Sequence, residues 1–465
     1  MAAVPEALQE EIVHENPTKI VWTLAWPVVA LYSLQVVNNL LDTGFVGRLH
    51  PAAMTAHGAS LPVVFLLFQV AFALSISATA LVSRAYGAED HAQVKQANRQ
   101  CLSLSILSGF LLAGVCALLA LVIPNVIIPA HNEEARRLLA SYLTIYSLSL
   151  PALHIIQAFA GALRGVGDTK SPMTISGVQI LLHIALNYIL IFPPRHLSFG
   201  VTIPGAGLGL LGAAAAFAIS AWLSALVYMA YSKRTVFGSL WRLARPRMEW
   251  IERILRIATP AAVMGLVRTG SLFVFMLVLA RVPDASQALA AVRGGFAIES
   301  IMFMPGMGLS MAAATLVGQS LGMRRPDRAE RLAWTAAHHS AGVILALCIP
   351  IFAFAPQIAG TLIKSDPQIA QEMTVMIRFM CTTEVLFGYS MVMSGAMQGA
   401  GDTVRPMWIS IVSLWGVRVP LAWILAITLA MGATGAWIAM ALTQGLAGVL
   451  GIWLFKRGAW KQVKV

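Results

Sequence analysis

The segment Gly161–Thr169 reads GALRGVGDT, and the segment Gly395–Thr403 reads GAMQGAGDT. The second copy begins half a chain after the first, in a sequence of 465 residues. A Pro-Met pair follows each copy at the same offset, at Pro172 and Pro406. A glycine-rich motif that recurs with its flanking residues after half the chain indicates a duplicated fold, in which both halves carry the same turn.

Composition places this duplicated fold in a membrane. Charged residues make up 11% of the chain and hydrophobic residues 58%, against roughly 25% and 45–50% in soluble domains. A bilayer core about 30 Å thick needs roughly 20 apolar residues per helix. The sequence therefore predicts an all-α membrane protein with 12 transmembrane helices in two parallel-repeat six-helix lobes, since six helices per repeat leave both halves in one orientation. The apolar stretches lie near residues 20–46, 55–83, 97–123, 137–163, 170–192, 206–231, 251–280, 286–318, 330–355, 369–396, 404–430 and 434–455.

The net charge of +12 comes from Lys and Arg residues whose distribution along the chain matches a membrane topology. If the N-terminus is cytoplasmic, the inner segments hold most of the Lys and Arg residues, and both termini are cytoplasmic by the positive-inside rule. This distribution predicts an integral protein of the plasma (inner) membrane, with the lipid bilayer as partner and no nucleic acid. The outer segments hold only Arg48, Arg136, Arg137, Arg195, Arg281 and Lys364.

The domain boundaries are drawn from the apolar stretches and the basic connection between the halves. Residues 1–18 form an acidic N-terminal tail without the features of a signal peptide. Residues 19–232 form the N-lobe with helices 1–6, and residues 251–465 form the C-lobe with helices 7–12. The polar segment 233–250 between them, which contains Pro246, is predicted to be a cytoplasmic linker.

The repeated motif itself predicts a tight hairpin between spans 4 and 5, and again between spans 10 and 11. Its glycines end one helix and permit a positive φ. Asp168-Thr169 and Asp402-Thr403 then offer side chains that cap the next helix. The prolines that follow fall in the first turn of that helix, where a missing N–H costs little. The motif is therefore interpreted as a structural turn.

Several segments, in order and over nearly the full length, resemble the multidrug and toxic compound extrusion (MATE) family. They are Leu41–Leu49 (LDTGFVGRL), the two Gly-Asp-Thr hairpins, Met304–Gly308 (MPGMG) with Leu316–Gln319 (LVGQ), and Arg418–Pro420 (RVP). The resemblance implies a V-shaped pair of lobes around a central cavity and alternating access. It also implies antiport of organic cations, drugs or metabolites against H⁺ or Na⁺, by a monomer that is not an enzyme and needs no cofactor besides the coupling ion.

The resemblance is closer to the DinF-like branch than to the NorM-like branch. NorM-like proteins carry a cation-binding acid in span 7, eight residues after a proline. Here Arg268 occupies the position eight residues after Pro260, with the opposite charge. The RVP segment of span 11 and the pattern around Asp42 are more DinF-like. This favours proton coupling seated in the N-lobe.

Asp42 is the predicted ion-coupling residue. It shares one face of span 1 with Gln35 and Asn39, at spacings of three and four residues. A carboxylate in a low-dielectric surrounding can exchange its proton near neutral pH, as a gradient-driven carrier requires. The other interpretation is a solvated Asp at the outer end of the helix. His183 and Asn187 on span 5, where the DinF-like pattern commonly has Asn and Asp, add an imidazole whose ordinary pKa of about 6.5 suits proton exchange.

Charged residues inside the C-lobe spans allow two interpretations, because each buried charge in a bilayer costs about 2.5–3.5 kcal/mol on insertion scales. Glu299 and Glu384 can form structural ion pairs with the arginines of spans 7, 8 and 11. Alternatively, either acid faces the cavity and binds a cationic substrate, with Arg268 and Arg418 setting the electric field of the site. The predicted substrate and cavity residues are Glu299, Glu384, Arg268, Arg418, Gln35, Tyr32 and His154.

A flippase and a membrane enzyme are the alternatives to an exporter, and each would need residues that this sequence does not show in the expected places. A lipid-linked oligosaccharide flippase, a relative in the same superfamily, would be expected to carry several Arg or Lys residues inside the N-lobe spans, and Arg48, Arg84 and Arg164 lie at span ends. An enzyme would need a His/Asp constellation near one interface. The sequence holds no HExxH, no catalytic-triad spacing and no P-loop, so ATP is not expected to drive this chain directly.

Overall fold

The computed structural model describes residues 16–196, 202–238, 244–364 and 366–463. Almost all of this part is helical, apart from a short antiparallel pair of strands, β1 (Arg195–His196) and β2 (Thr202–Ile203). The α-helices in chain order are α1 (Pro17–Val46), α2 (Pro51–Gly87), α3 (His91–Ile127), α4 (Glu133–Ser147), α5 (Leu150–Gly165), α6 (Lys170–Ile191), α7 (Leu210–Tyr231), α8 (Met248–Leu279), α9 (Ala285–Gly322), α10 (Pro326–Ala353), α11 (Ala355–Leu362), α12 (Pro367–Gly399), α13 (Val404–Ser410), α14 (Val419–Trp423) and α15 (Gly432–Lys456).

The predicted all-α membrane fold is confirmed. Within the described ranges, 11 helical spans are long and apolar enough to cross a membrane. The remaining predicted span, span 4, is a pair of shorter helices, α4 and α5, bent by 46° at the break between them. The Asn132 side chain caps the N-terminus of α4 by accepting from Ala135 N at 3.2 Å.

Span 11 departs from regular α-helix. Two π-helical segments, Ile411–Arg418 and Ile424–Thr428, flank the short helix α14, and α13 precedes them. Pro420 lies at the start of α14, where its missing N–H removes one hydrogen bond from the helical ladder. The predicted span 404–430 is therefore one continuous helical segment whose hydrogen-bond register changes on both sides of α14.

The chain forms two compact units. The first, here called the N-terminal unit, comprises Ala30–Val82 and the described part of Asp90–Leu255. The second, the C-terminal unit, comprises Ser83–Glu89, Arg256–Val465 and the described part of Gln9–Val29. The beginning of α1 and the end of α2 thus pack with the second half of the chain, although both helices continue into the first unit.

The two copies of the repeated motif have the same backbone structure. Gly167 and Gly401 both have φ 89°. Each glycine is followed by an Asp whose N–H donates at 2.9 Å to a carbonyl five residues earlier in the preceding helix. This closure is the glycine-terminated helix end that the sequence predicts.

The predicted helix caps are supplied by the aspartates. Asp168 Oδ1 accepts from Ser171 N at 2.9 Å, and Asp402 Oδ1 accepts from Arg405 N at 3.3 Å. The Asp402 carboxylate also binds the Arg405 guanidinium. The neighbouring threonines make no side-chain cap bond. The Asp of each Asp-Thr pair is therefore the capping residue.

The first glycine of each copy allows two helices to approach closely. A Cβ at Gly161 would overlap the carbonyl oxygen of Ser75 on α2, and a Cβ at Gly395 would overlap the side chain of Ser310 on α9. Beside these glycines, Ser75 Oγ donates to Gln157 O at 2.6 Å, and Ser310 Oγ donates to Met391 O at 2.8 Å. The duplication thus reproduces a helix–helix contact within each unit as well as a turn.

Candidate functional site

Asp42 and Asn187 lie at corresponding depths of two helices in the N-terminal unit. Asp42 is four residues before the last residue of α1, Val46, and Asn187 is four residues before the last residue of α6, Ile191. Both helices are predicted to run from the cytoplasmic to the outer side. The two side chains therefore meet near the same membrane face.

Three residues hold the Asp42 carboxylate. Asn187 Nδ2 donates to Oδ1 at 2.6 Å, and Asn38 Nδ2 donates to Oδ2 at 3.1 Å. His183 Nε2 lies 3.3 Å from each of the two carboxylate oxygens. The structure thus brings together the predicted Asp42, His183 and Asn187, and it adds Asn38, which the sequence analysis did not select.

The cluster is enclosed but retains unused polar atoms. The His183 side chain is 5% exposed and that of Asp42 24%. His183 Nδ1, Asn187 Oδ1 and Asn38 Oδ1 are buried and have no hydrogen-bond partner. A buried polar atom without a partner is unfavourable by about 1–3 kcal/mol. The cluster therefore contains three buried polar atoms that are free to form further hydrogen bonds.

Aromatic rings surround the cluster, and the sequence analysis missed them. The His183 ring packs edge-on against Phe217 of α7, with centroids 5.6 Å apart. Phe217 stacks on Tyr146 at 5.4 Å, and Tyr146 stacks on Tyr142 of the same helix at 6.2 Å. The spacing of four residues between the two tyrosines was the available signal. The stacked rings fix the orientation of His183 toward Asp42.

His57 of α2 is a second histidine near Asp42. Its ring meets Tyr142 edge-on at 6.1 Å, and the side chain interacts electrostatically with Asp42. His57 Nδ1 is buried and has no partner. The carboxylate therefore has a histidine on each of two helices, of which only His183 is within hydrogen-bonding distance.

The other predicted residues of the first unit lie apart from the carboxylate. Gln35 Nε2 donates to Asn39 Oδ1 at 3.1 Å, so these two residues pair with each other. Tyr32 interacts electrostatically with Arg164, whose Nη2 donates to Ser75 Oγ at 2.7 Å. Asn38, and not the predicted Asn39, is the asparagine of α1 that binds Asp42. It lies four residues before Asp42, about one helical turn away.

His154 is packed between helices of the same unit. Its side chain is fully buried in α5, and Nδ1 lies 2.8 Å from Leu150 O of its own helix. A Cβ at Gly109 of α3 would lie 3.2 Å from His154 Cβ. The structure thus gives His154 a helix-packing position.

In the C-terminal unit, Glu299 and Arg418 are each held by a neutral side chain. Gln444 Nε2 donates to Glu299 Oε1 at 2.9 Å, and Arg418 Nε donates to Thr443 Oγ1 at 2.9 Å. Arg418 also interacts electrostatically with Glu299. Across the described ranges, no N–O distance within 4.0 Å joins Glu299 or Glu384 to an arginine. The direct ion pairs of the first interpretation are therefore not formed in this structure, and Glu299 and Arg418 bind Gln444 and Thr443 of α15 instead.

Glu384 of α12 has a different environment. Its side chain is fully buried, and neither carboxylate oxygen has a hydrogen-bond partner. The nearby charged group that acts on it is the acid Glu299. An ionised carboxylate in such a position would be strongly unfavourable.

The duplicated membrane fold and the carboxylate held inside it define a membrane transporter. A family model described as MatE matches residues 27–189 and 260–424, one segment in each half of the chain. The chain belongs to the MatE family, as its sequence motifs predict. It is therefore an integral membrane transporter for small molecules and not an enzyme.

Individual relatives agree with this assignment. A probable multidrug resistance protein NorM of Thermotoga maritima is 29% identical over 447 residues, which cover 94% of this chain and 92% of that protein. A FAD transporter of Shewanella oneidensis is 26% identical, and the match covers 90% of each protein. The first of these names favours drug efflux transport, and neither favours the flippase alternative.

The fold also matches solved structures. A crystal structure of MATE in complex with MaD3S has a TM-score of 0.88 to this chain at 23% sequence identity, and the match covers 97% of this chain and 99% of the other. At this identity the match shows a shared fold and gives no information on the compound transported.

Proposed function

We propose that the chain is a secondary active exporter of small organic molecules, coupled to H⁺ by antiport and alternating access. It works as a monomer in the plasma (inner) membrane, with both termini in the cytoplasm. The observation that carries this proposal is the Asp42 cluster, in which one carboxylate inside a membrane span is bound by Asn187, His183 and Asn38. The similarity to multidrug resistance proteins supports export as the direction of transport.

The chemistry of the cluster suits a proton more than a metal cation. Two of the three partners donate amide N–H groups to the carboxylate oxygens. Na⁺ would have to be coordinated by those carboxylate oxygens, so it would displace the amide N–H groups. A proton can bind to His183 or to the carboxylate while at least one amide stays in place. Imidazole has an ordinary pKa of about 6.5 and exchanges protons readily near neutral pH. Asp42 is therefore the proposed proton-binding residue, with His183 as its partner and Asn187 and Asn38 as positioning residues.

Proton exchange at this position changes the charge of the site. With Asp42 ionised and His183 neutral, the cluster carries one negative charge, and with one proton added it carries none. A neutral cluster moves through a low-dielectric surrounding at a lower free-energy cost than a charged one. Coupling follows if the site binds the proton from the outer side and releases it toward the cytoplasm.

The test is ethidium transport by the purified protein in proteoliposomes, under an imposed H⁺ gradient or an imposed Na⁺ gradient. Ethidium represents the organic cations that the family resemblance predicts, and it is fluorescent. We expect transport with the H⁺ gradient and its loss in the Asp42→Asn variant. The Glu134→Gln variant is the control, because Glu134 is an exposed acid on α4 whose carboxylate lies 3.7 Å from His50 Nδ1.

Two results would reject proton coupling at Asp42. One is transport driven by Na⁺ and unaffected by the H⁺ gradient. The other is an Asp42→Asn variant that transports ethidium at the wild-type rate under the H⁺ gradient. Either result would direct the search for the coupling ion to Glu299 and Glu384 of the C-terminal unit.

A further inference from the structure

Two arginines of the C-terminal unit lie on neighbouring spans that are joined directly. Trp415 Nε1, in the first π-helical segment, donates to Val267 O of α8 at 2.9 Å. The Trp415 ring also approaches α8 at Gly270, where a Cβ would lie 3.1 Å from the ring. Arg268 follows Val267 on α8, and Arg418 ends the same π-helical segment and interacts electrostatically with Arg268. Arg268 and Arg418 therefore lie on two spans that are in direct contact close to both residues.

Most hydrogen-bond donors of this pair are unused. A guanidinium group carries five N–H donors. Arg418 uses Nε to donate to Thr443 Oγ1 at 2.9 Å, and within the described ranges Arg268 has no hydrogen bond. Thr443 Oγ1 in turn donates to Ala439 O at 2.8 Å, so it is held in place by its own helix. Arg418 is thus oriented by a neutral group, and both arginines keep donors available.

The acids nearby do not neutralise both arginines. Glu299 is oriented by Gln444, and in the part of the chain that the structure describes no acid oxygen lies within 4.0 Å of a side-chain nitrogen of Arg268 or Arg418. Glu384 is fully buried without a hydrogen-bond partner on either oxygen. Arg268 and Arg418 therefore place two guanidinium groups inside membrane spans without a direct ion pair. A charge in this position is costly and commonly marks a path for a substrate or an ion.

We propose that Arg268 and Arg418 bind an anionic group, a carboxylate or a phosphate, of the transported compound. This inference rests on the proposed export function and extends its substrate class, since the exported compounds then include organic anions or zwitterions besides cations. Guanidinium groups match carboxylate and phosphate oxygens in geometry as well as charge. Glu299 limits the positive charge of the site, and Thr443 and Gln444 hold the two ionised groups apart.

The experiment is a binding measurement with two planar fluorescent probes of similar size and opposite charge. Fluorescein, an anion with a carboxylate at mildly alkaline pH, and ethidium, a cation, are titrated with the purified full-length protein, and fluorescence anisotropy is recorded. We expect fluorescein to bind, and Arg268→Gln or Arg418→Gln to weaken it about tenfold or more, since a hydrogen bond to a charged group is worth about 1.5–3 kcal/mol. Arg281→Gln is the matched control, because Arg281 follows α8 and stacks on Trp423 at 5.4 Å.

A second variant gives a result that misfolding cannot imitate. Glu299→Gln removes the negative charge and keeps the shape of the side chain, so fluorescein should bind more tightly, by several-fold. Absence of fluorescein binding, unchanged affinity in both arginine variants, or weaker fluorescein binding in Glu299→Gln would overturn the proposal. If ethidium is exported under an H⁺ gradient and fluorescein does not bind, the anion site is rejected and the exporter stands. If fluorescein binding needs the arginines and no gradient drives export, the anion site stands and the exporter is rejected.

Discussion

Asn187 Nδ2 lies 2.6 Å from Asp42 Oδ1, a contact between α6 and α1 made at the same distance from the end of each helix. It is the shortest contact of the carboxylate and ties its orientation to the neighbouring helix. Asn39, only three residues before Asp42, is exposed and pairs with Gln35 instead. Comparing variants of Asn187 and Asn39 therefore distinguishes loss of the hydrogen bond to Asp42 from the general effect of losing an amide side chain.

Replacing Asn187 by Leu should slow proton-driven export about tenfold or more. The change removes a hydrogen bond to a charged group, worth about 1.5–3 kcal/mol, and tenfold corresponds to 1.4 kcal/mol. The measurement is the initial rate of ethidium transport in proteoliposomes under an H⁺ gradient. Asn39→Leu is the control and should keep the wild-type rate. Equal losses in the two variants would mean that the contact with Asp42 has no special role.

Introducing a side chain at Gly161 or Gly395 should destabilise the protein by similar amounts. Ala at either position overlaps the serine of the facing helix, and inserting a group into a packed contact costs about 1–3 kcal/mol. The measurement is the unfolding temperature of the purified protein in detergent. Gly114→Ala is the control, because nothing lies within 4 Å of a Cβ there. A stable Gly161→Ala variant beside an unstable Gly395→Ala variant would show that the two halves do not rely equally on this contact.

Replacing Glu384 by Met should stabilise the protein. The carboxyl group is fully buried without a partner, and an apolar side chain of similar size removes the cost of that unsatisfied group, about 1–3 kcal/mol. The unfolding temperature should therefore rise, and the affinity for fluorescein should stay as in the wild type. A fall in both quantities would indicate that Glu384 is ionised and belongs to the binding site.

Removing the hydrogen bond between Trp415 and Val267 should weaken anion binding without abolishing it. Trp415→Phe keeps an aromatic ring against Gly270 and loses the donor to Val267 O, a neutral hydrogen bond worth about 0.5–1.5 kcal/mol. We expect a loss of fluorescein affinity of about two- to tenfold, because the bond holds the span of Arg418 against the helix of Arg268. Trp453→Phe is the control, since Trp453 lies on α15 under Arg457. Equal effects of the two substitutions would argue against this role.

The sequence was sufficient for the parts of the fold that repeat or that depend on composition. Apolar length predicted the spans, and glycine and aspartate at fixed offsets predicted turns with the same φ at Gly167 and Gly401. The candidate site was partly predictable for a similar reason. The spacing of four residues put His183 and Asn187 on one face of a helix, and the family resemblance placed that face opposite Asp42.

The remaining features depend on contacts between residues far apart in the chain. Phe217 and Tyr146 carry no charge, so nothing in their local sequence connected them with His183. The division of α1 and α2 between the two units follows packing, whereas boundaries drawn at residues 233 and 251 follow hydropathy. In the C-terminal unit, opposite charges suggested ion pairs, but Gln444 binds Glu299 and Thr443 binds Arg418 in their place.

The π-helical segment that ends at Arg418 has a consequence for how this arginine can be moved. A π-turn contains one residue more than an α-turn, so conversion to α-helix displaces every following residue by one position in the register. One position corresponds to about 100° of rotation around an α-helix, at 3.6 residues per turn. Such a shift would swing the guanidinium group away from Thr443 while the span kept its place in the membrane. Conversion between π-helix and α-helix within this one span would thus turn the positive charge toward Thr443 or away from it, without a hinge motion.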